Sequence, residues 1–213
     1  MSSVWCIAIA LRTGAKIFES TKCRCGKIVD ELGLHGLSCS KNACCFPRHL
    51  AINSSLKRSL TRIGLPSTLE PVGLTSDART PDCSTLGPWY RGLSLVWDAR
   101  VVFTFAQGHY KDSARHAGFA ATKAEAAKCQ KCDLQSNYHF QPVAIETTGV
   151  YGKSTAPFLS GLTKKFVDVS GDPRECQWLH QRLSLAVARG NAASILACVQ
   201  VWSNFTCSFS SCF

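Results

Sequence analysis

The segment from residue 23 to residue 45 constrains the fold of this chain more than any other. It holds five cysteines, one histidine and three glycines, without a periodic run of apolar residues. Such a composition is typical of a loop-rich module and not of a packed helix or strand. We therefore expect residues 1–46 to form a small module of their own at the start of the chain.

Four residues of this segment have a spacing that is typical of metal ligands: Cys23, Cys25, His35 and Cys39. Nine residues separate the second from the third, and three residues separate the third from the fourth. Three thiolates and one imidazole suit tetrahedral zinc, and a closed set of four leaves no position for a water molecule. The spacing predicts a structural zinc site, a zinc knuckle, in this N-terminal module.

The other cysteines leave alternatives open. Cys44 or Cys45 could replace one of the four ligands, or the cluster could bind no metal, because buried thiols are common in a reducing compartment. The chain has 13 cysteines, an odd number, whereas secreted disulfide scaffolds are usually shorter and evenly paired. The short apolar run Val4–Leu11 lacks the basic flank of a secretory signal. We expect a nuclear or cytoplasmic protein that is not secreted, with a secreted disulfide-bonded protein as the alternative.

The charge balance indicates the kind of partner. The chain has 24 Lys and Arg against 14 Asp and Glu, so its formal charge is +10 and its pI is near 9.1. A basic balance favours a polyanion such as nucleic acid or an anionic membrane. No run approaches the roughly 18 apolar residues of a membrane span. With 46% hydrophobic and 18% charged residues, the chain is too apolar to be disordered. We predict a folded nucleic-acid-binding protein with no membrane partner.

Residues 47–63 predict an amphipathic helix that ends before Gly64. Its apolar positions recur at spacings of four, four and three residues: Ile52, Leu56, Leu60 and Ile63. Polar residues open the helix or lie off this apolar stripe, and they are candidates for contact with nucleic-acid phosphates: Arg48, His49, Lys57 and Arg58. The alternative is that these four side chains are structural or form a solvated face.

Other segments predict three strands and two more helices. The strands are 69–73, 94–105 and 140–147, and the helices are 122–135 and one from Asp172 to Gly190. Thr122 and Glu125 have the spacing of a capping box at the start of the first of these helices. This order predicts an α/β fold with a mixed sheet flanked by helices. The core covers residues 47–197, and residues 198–213 are a tail that we assign to no element.

Two aspartates are the candidate catalytic residues. Asp82 lies in a turn, and Asp98 lies within the apolar strand 94–105. A charged residue in such a strand is costly to bury unless it is paired or binds a metal ion. Two carboxylates from adjacent elements can hold Mg²⁺, which polarises a phosphodiester and activates water. Arg100 shares a strand face with Asp98 and could stabilise charge on the phosphoryl group, or simply form a salt bridge with Asp98. Two further carboxylates in strand-like contexts are candidate magnesium ligands or structural residues: Glu70 and Glu146.

Several motifs occur in one order along the chain and together resemble a known family. They are Cys23-x-Cys25-Gly, His35-Gly-Leu-x-Cys39, Arg48-His49, Leu69-Glu70-Pro71, Pro81-Asp82, Trp97-Asp98 and Val101-Val102, followed by Pro142–Gly149, Gln181–Ser184 and Arg189–Ser194. The set is similar to the restriction-enzyme-like endonuclease region of non-LTR retrotransposon polyproteins, where it is linked to a reverse transcriptase. The resemblance covers about residues 7–197.

The resemblance implies a PD-(D/E)XK nuclease fold, a restriction-endonuclease-like core preceded by a Cys-Cys-His-Cys zinc knuckle. It implies Mg²⁺-dependent nicking of target DNA, which exposes a 3′ hydroxyl for reverse transcription, and the RNA of the element as a further partner. Asp82 and Asp98 match the two acids of the family, and Lys128 or Lys131 matches its displaced basic residue. The pair Arg48-His49 matches a basic pair between the knuckle and the core.

The sequence also departs from the family pattern. Thr80 stands where the family has Lys or Arg, Arg100 stands in place of the Lys of the fold, and Cys132 follows Lys131 where Tyr is usual. The tail after Ala197 departs from the family, and the reverse transcriptase domain is absent from this chain. The resemblance therefore implies a fragment or a decayed copy of a retroelement. The alternative function is a non-catalytic, zinc-dependent nucleic-acid-binding remnant.

Overall fold

The computed structural model describes residues 3–74, 80–132 and 138–199. The chain divides into two compact units: the first consists of residues 1–45 and 189–213, and the second of residues 46–188. The second unit contains a four-stranded mixed sheet together with helices, which confirms the predicted α/β class. Within the described ranges, no helix is long and apolar enough to cross a membrane.

The first unit has one helix and little other regular structure before residue 45. Helix α1 is Ser3–Thr13, and the strands β1, Thr21–Lys22, and β2, Ile28–Val29, pair in antiparallel fashion. A single turn of 3-10 helix, Leu34–Leu37, carries His35. The small apolar core of this unit is made mainly of thiols: Cys23, Cys39 and Cys198 pack with Val29.

Helix α2, Cys45–Arg62, leads into the second unit and confirms the helix predicted over 47–63. Ile52, Leu56 and Leu60 of its apolar stripe are fully buried. They share one side of the helix because their spacing is close to its 3.6-residue period. Gly64 follows with φ of +76°, the left-handed conformation that glycine permits just beyond the end of a helix.

The sheet of the second unit has the strand order β3-β4-β5-β6. In chain order, these strands are Ser67–Leu69, Cys83–Tyr90, Leu93–Val102 and Tyr138–Glu146. The first three pair in antiparallel fashion, and β6 runs parallel to β5. A parallel neighbour needs a long crossover. The described residues of this crossover form the helices α3 (Tyr110–Arg115) and α4 (Phe119–Lys131). The helices α5 (Thr155–Ser170) and α6 (Glu175–Leu196) follow β6.

Strand β5 alternates between two environments, and this alternation positions the candidate site. Trp97 and Ala99 belong to the main core, together with apolar side chains of β6, α2, α5 and α6. Asp98 and Arg100 point to the opposite face because successive side chains of a strand alternate. A second, smaller cluster joins α4 to β6 through alanines. The division of β5 into these two faces agrees with the sequence prediction.

Some element boundaries differ from the predictions. The predicted strand 69–73 is wrong beyond Leu69, where β3 ends, and the chain turns at Glu70 with φ of +46°. Helix α4 begins at Phe119 rather than residue 122, because Gly118 adopts φ of +81° and precedes the first turn. The predicted capping box at Thr122 is therefore wrong. The last helix extends past the predicted end at residue 190 to Leu196.

Several elements were not predicted: the short elements α1, β1, β2 and α3, and the longer elements β4 and α5. Strand β4 contains Gly87 and Pro88, which are ordinarily turn residues. The structure accommodates them with an irregular register between Ser84 and Tyr90 in the pairing with β5. Helix α5 contains Pro157 in its first turn, where a missing N–H costs no hydrogen bond. Of the tail predicted over residues 198–213, residues 200–213 lie outside the described residues.

Candidate functional site

Asp82 lies at the end of the sheet, immediately before β4. In the antiparallel register Cys83 pairs with Trp97, so Asp82 is brought beside Asp98 of the next strand. The backbone N–H of Ala99 donates a hydrogen bond of 2.6 Å to Oδ2 of Asp82. The carboxylate of Asp82 thus accepts the hydrogen bond that a backbone oxygen would accept in a regular strand pair. The two candidate acids lie at the same end of the sheet.

Helix α2 holds Asp82 from the other side. Nε2 of His49 lies 2.9 Å from Oδ2 of Asp82 and 3.1 Å from Nδ2 of Asn53, one helical turn further on. The indole Nε1–H of the buried Trp97 donates to Oδ1 of Asn53 at 3.0 Å. Because this bond occupies the oxygen of Asn53, its amide NH₂ is directed towards His49 and Asp82. The carboxylate of Asp82 is therefore held by three polar groups.

Asp98 has a cationic partner on helix α4. Nζ of Lys128 forms an ion pair with Oδ2 of Asp98, and the two side chains are 17% and 31% exposed. Lys131, the other candidate lysine, is exposed at the end of α4, and Arg100 is exposed on β5. Of the three candidate basic residues, the structure brings Lys128 to the acids.

Burial, followed by the negative charge of Asp98, raises the pKa of Asp82. The N–H of Ala99, the amide of Asn53 and the charge of His49 oppose this shift but do not cancel it. A cation shared by two carboxylates that repel each other at a partly buried position would stabilise the ionised form of both. Oxygen ligands of this kind suit Mg²⁺, so the pair is chemically compatible with that ion.

The two candidate glutamates differ in what they do. Glu70 is exposed, and its backbone N–H donates a 2.8 Å hydrogen bond to the backbone oxygen of Asp82, so it lies beside the site. Glu146 is buried, and its Oε1 accepts hydrogen bonds from the N–H groups of Ala120 and Ala121 in the first turn of α4. Its Oε2 accepts from Thr148. The carboxylate of Glu146 thus satisfies the N-terminus of a helix rather than joining the two aspartates.

The candidate phosphate-binding residues of α2 are also placed differently. Arg48 is 5% exposed, so it does not offer its charge to a partner at the surface. His49 is engaged with Asp82. Lys57 is half-buried and Arg58 is exposed. Of the four residues, Arg58 is therefore the most available for a phosphate.

A cluster of thiols and one imidazole in the first unit could hold a metal ion. Its members are Cys23, His35, Cys39 and Cys198, whose ligand atoms all lie within 4.8 Å of one another. Within the described residues this is the only group of three or more such ligands. Around tetrahedral zinc, sulfur atoms lie about 3.8 Å apart. The sulfurs of Cys23 and Cys39 are 3.8 Å apart, which fits such an ion.

The thiols of this cluster do not ionise independently. Burial opposes the ionisation of Cys23, but hydrogen bonds from the backbone of Cys25 and from neighbouring side chains, including His35, lower its pKa to about 6. Burial and the neighbouring Cys23 raise the pKa of Cys198. One thiolate thus forms readily at Cys23, and a bound cation would be needed to stabilise further thiolates.

The structure also identifies residues that the sequence does not indicate. Asn53 carries no recognisable signal, because its role depends on the distant Trp97. Cys198 falls in the predicted tail, although its side chain is buried in the cluster. Glu125 accepts hydrogen bonds from the N–H groups of Ser154 and Thr155, so it caps α5 instead of its own helix. No protein-family model matches the chain, and no curated protein matches it.

Proposed function

We propose that the second unit is a metal-dependent endonuclease of the PD-(D/E)XK type that nicks DNA, as its resemblance to retroelement endonucleases implies. The observation that carries the proposal is the meeting of Asp82, Asp98 and Lys128 at one end of a mixed sheet. Two acids and a lysine are what this class of nuclease uses at a phosphodiester.

Each residue has a role that follows from its surroundings. Asp82 and Asp98 would supply carboxylate oxygens for Mg²⁺, and the ion would polarise the phosphodiester and activate a water. Lys128 is partly buried, and its ammonium can leave Asp98 for the developing charge on the scissile phosphate. His49 orients Asp82 through its 2.9 Å contact. Glu70 is positioned beside Asp82 as a further candidate ligand.

The decisive experiment is a nicking assay on supercoiled plasmid with Mg²⁺ and the full chain. Asp82→Asn and Asp98→Asn should reduce nicking to the background rate, because each removes a charged metal ligand. Lys128→Met should lower the rate about 10²-fold or more, the cost of removing one charge-stabilising donor. Lys131→Met is the matched control and should retain the wild-type rate, because its side chain is exposed on the same helix. Equal nicking by all these variants would exclude this active site.

A second candidate function is zinc-dependent nucleic-acid binding without catalysis, which the Cys/His cluster of the first unit favours. Zinc there would order a short, loop-rich segment, and the net charge of +10 would supply phosphate affinity. DNA or element RNA that binds wild-type chain, but not chain stripped of zinc, would support this function. Affinity should fall steeply with salt. Loss of binding in Asp82→Asn, with zinc still present, would argue against it.

A further inference from the structure

Five metal-binding side chains meet in the first unit, although tetrahedral zinc takes four. Cys23, His35, Cys39 and Cys198 form the mutually close set, and Cys25 lies outside it. The sulfur of Cys25 is 3.2 Å from Nε2 of His35, and its side chain also hydrogen-bonds to those of Cys23 and Cys39, so Cys25 borders the set without belonging to it. The choice between Cys25 and Cys198 decides whether the site joins two distant parts of the chain.

Burial favours Cys198. A structural zinc site is closed to water, so its ligands are expected to be buried. Cys198 is 2% exposed, which matches Cys23 at 4% and Cys39 at 6%. Cys25 is only partly buried. By this criterion Cys198 belongs with the two thiols whose 3.8 Å separation fits zinc.

A polar side chain holds Cys198 in place. Nδ2 of Asn42 lies 3.7 Å from the sulfur of Cys198, and it also donates to the backbone oxygens of Ser194 at 2.7 Å and Gly36 at 2.9 Å. The oxygen of Asn42 accepts from the N–H of Cys44 at 2.9 Å. Hydrogen bonds of this kind around metal ligands orient them and tune the ion. Asn42 therefore links the end of α6 to the turn that carries His35.

Gly36 lies against the backbone of the last turn of α6. A Cβ at this position would lie 2.7 Å from Cα of Ile195 and 2.9 Å from the oxygen of Ser194. Both are backbone atoms, which cannot move aside as a flexible side chain would. Only glycine lets the last turn of α6 lie directly on the 3-10 helix that carries His35. The position of Cys198 near the cluster is thus fixed by packing as well as by Asn42.

We propose that Cys198 is the fourth zinc ligand and that zinc thereby fastens the C-terminal end of α6 to the N-terminal Cys/His segment. Cys25 lies outside the ligand set and hydrogen-bonds to three of its members, His35, Cys23 and Cys39. This inference rests on the zinc binding proposed above and changes its ligands. The metal module is then discontinuous in sequence, and a chain that ends before Cys198 loses a ligand.

Cobalt substitution of the full chain tests the assignment, because thiolate-to-Co²⁺ charge-transfer absorption scales with the number of bound thiolates. Cys198→Ser should lose about one third of that absorption, since three thiolates become two. It should also weaken binding by more than about 100-fold, beyond the cost of losing an outer-shell partner. Cys25→Ser should keep the wild-type absorption and weaken binding by less than about 100-fold, since it removes a neighbour of the ligands and not a ligand. Cys6→Ser, a control at an exposed thiol, should match wild type in both.

A conservative variant and a measurement on wild-type protein cover the case in which Cys198→Ser fails to fold. Cys198→His should keep the ion tetrahedral while losing one thiolate's absorption. In wild-type chain held in enough denaturant to unfold it without metal, Zn²⁺ should protect Cys198 from iodoacetamide and leave Cys25 reactive, as mapped by peptide mass.

The possible results separate this inference from the proposed zinc binding. Loss of absorption in Cys25→Ser with retention in Cys198→Ser would overturn the assignment while leaving a zinc site. Equal effects of both substitutions would overturn it as well, because either thiol would then serve. Failure of the wild-type chain to bind Co²⁺ or Zn²⁺ would end both the inference and the proposed zinc binding.

Discussion

The indole Nε1 of Trp97 donates a 3.0 Å hydrogen bond to Oδ1 of Asn53, and this bond connects the buried core to the candidate site. Asn53 is 5% exposed and Trp97 is fully buried, so neither polar group has water as a substitute partner. By occupying the oxygen of Asn53, Trp97 fixes which way its NH₂ points. The position of Asp82 therefore depends on a core residue of the neighbouring strand β5.

The Asn53–Trp97 bond should appear as a coupling energy in a double-mutant cycle. Asn53→Ala alone leaves the buried indole N–H without an acceptor, which costs about 1–3 kcal/mol of unfolding free energy. Trp97→Phe alone leaves the Asn53 oxygen unpaired and also loses apolar volume. The double variant removes both partners, so the two losses should fall short of additivity by roughly 1 kcal/mol. Denaturant unfolding measures all three.

The control cycle pairs Trp97→Phe with Lys131→Ala, because Lys131 is exposed at the end of α4. These two changes should add to within about 0.5 kcal/mol. If the Asn53 cycle is equally additive, the bond contributes nothing beyond what each residue contributes alone.

The raised pKa of Asp82 predicts that ionising it costs stability. Below pH 3.8, the ordinary pKa of the group, Asp82 is neutral in the folded and the unfolded chain, and no cost arises. As the pH rises from there through the raised pKa of the folded state, stability is lost. Asp82→Asn cannot ionise and still offers an oxygen to the N–H of Ala99. It should therefore be more stable than wild type at pH 7 and lose that advantage near pH 3.

Thermal unfolding across pH, with and without Mg²⁺, measures this effect. Mg²⁺ should raise the melting temperature of wild type at pH 7 and leave that of Asp82→Asn unchanged, because binding to the folded state alone stabilises it. The control is Asp112→Asn, which removes an exposed carboxylate from helix α3 and should change neither property. A less stable Asp82→Asn at pH 7 would contradict the prediction.

Local patterns were enough to predict part of the fold and of the site. The stripe of Ile52, Leu56 and Leu60 predicted α2, because helical period and burial agree there. The alternation around Asp98 predicted which side of β5 is polar. The meeting of Asp82 with Asp98 depends on the pairing of β4 with β5, and β4 was not predicted, so the local patterns offered the two acids only as candidates.

Long-range pairing explains what the sequence did not predict. Glu125 has the local spacing of a capping residue for α4, but its carboxylate accepts the N–H groups of Ser154 and Thr155, which cap α5. Cys198 is far in sequence from the thiols it meets, and Gly36 owes its identity to the last turn of α6. Spacing rules describe neighbours along the chain, so they could not find these contacts.

The cysteines make a prediction that separates buried thiols from exposed ones. Burial, followed by the charge of Asp82, raises the pKa of Cys83 to about 12. Iodoacetamide reacts with thiolates, so native protein at pH 8 should be modified at the exposed Cys6 and Cys129 and not at Cys83. Peptide mass mapping measures this. Modification of Cys83 at a rate similar to that of Cys129 would show that β4 opens.

The same reaction in denaturant tests the secreted, disulfide-bonded alternative. No disulfide joins the cysteines of the described ranges. We therefore expect denatured protein that has not been treated with reductant to be modified at the 11 cysteines of these ranges. A set of cysteines that reacts only after reduction would support the disulfide-bonded alternative.

Two glycines of the second unit should respond in opposite directions to alanine. A Cβ at Gly152 would clash with the carboxylate of Glu125, which accepts hydrogen bonds from the N–H and the hydroxyl of Thr155. Gly152→Ala should displace this buried carboxylate, leave the first turn of α5 unsatisfied, and cost about 1–3 kcal/mol. Gly161, within α5, has no atom within 4 Å of an added Cβ. Gly161→Ala should stabilise by about 1 kcal/mol, because alanine has the higher helix propensity.

Denaturant midpoints of the two variants measure the difference. Glu125→Ala then tests whether displacement of the Glu125 carboxylate causes the loss of stability in Gly152→Ala. If Gly152→Ala acts by moving Glu125, the combination of Gly152→Ala with Glu125→Ala should be hardly less stable than Glu125→Ala alone. Gly161→Ala should add independently to either of them. A Gly152→Ala effect that persists in full without the Glu125 carboxylate would mean that the cost arises elsewhere, since the clash would already have been removed.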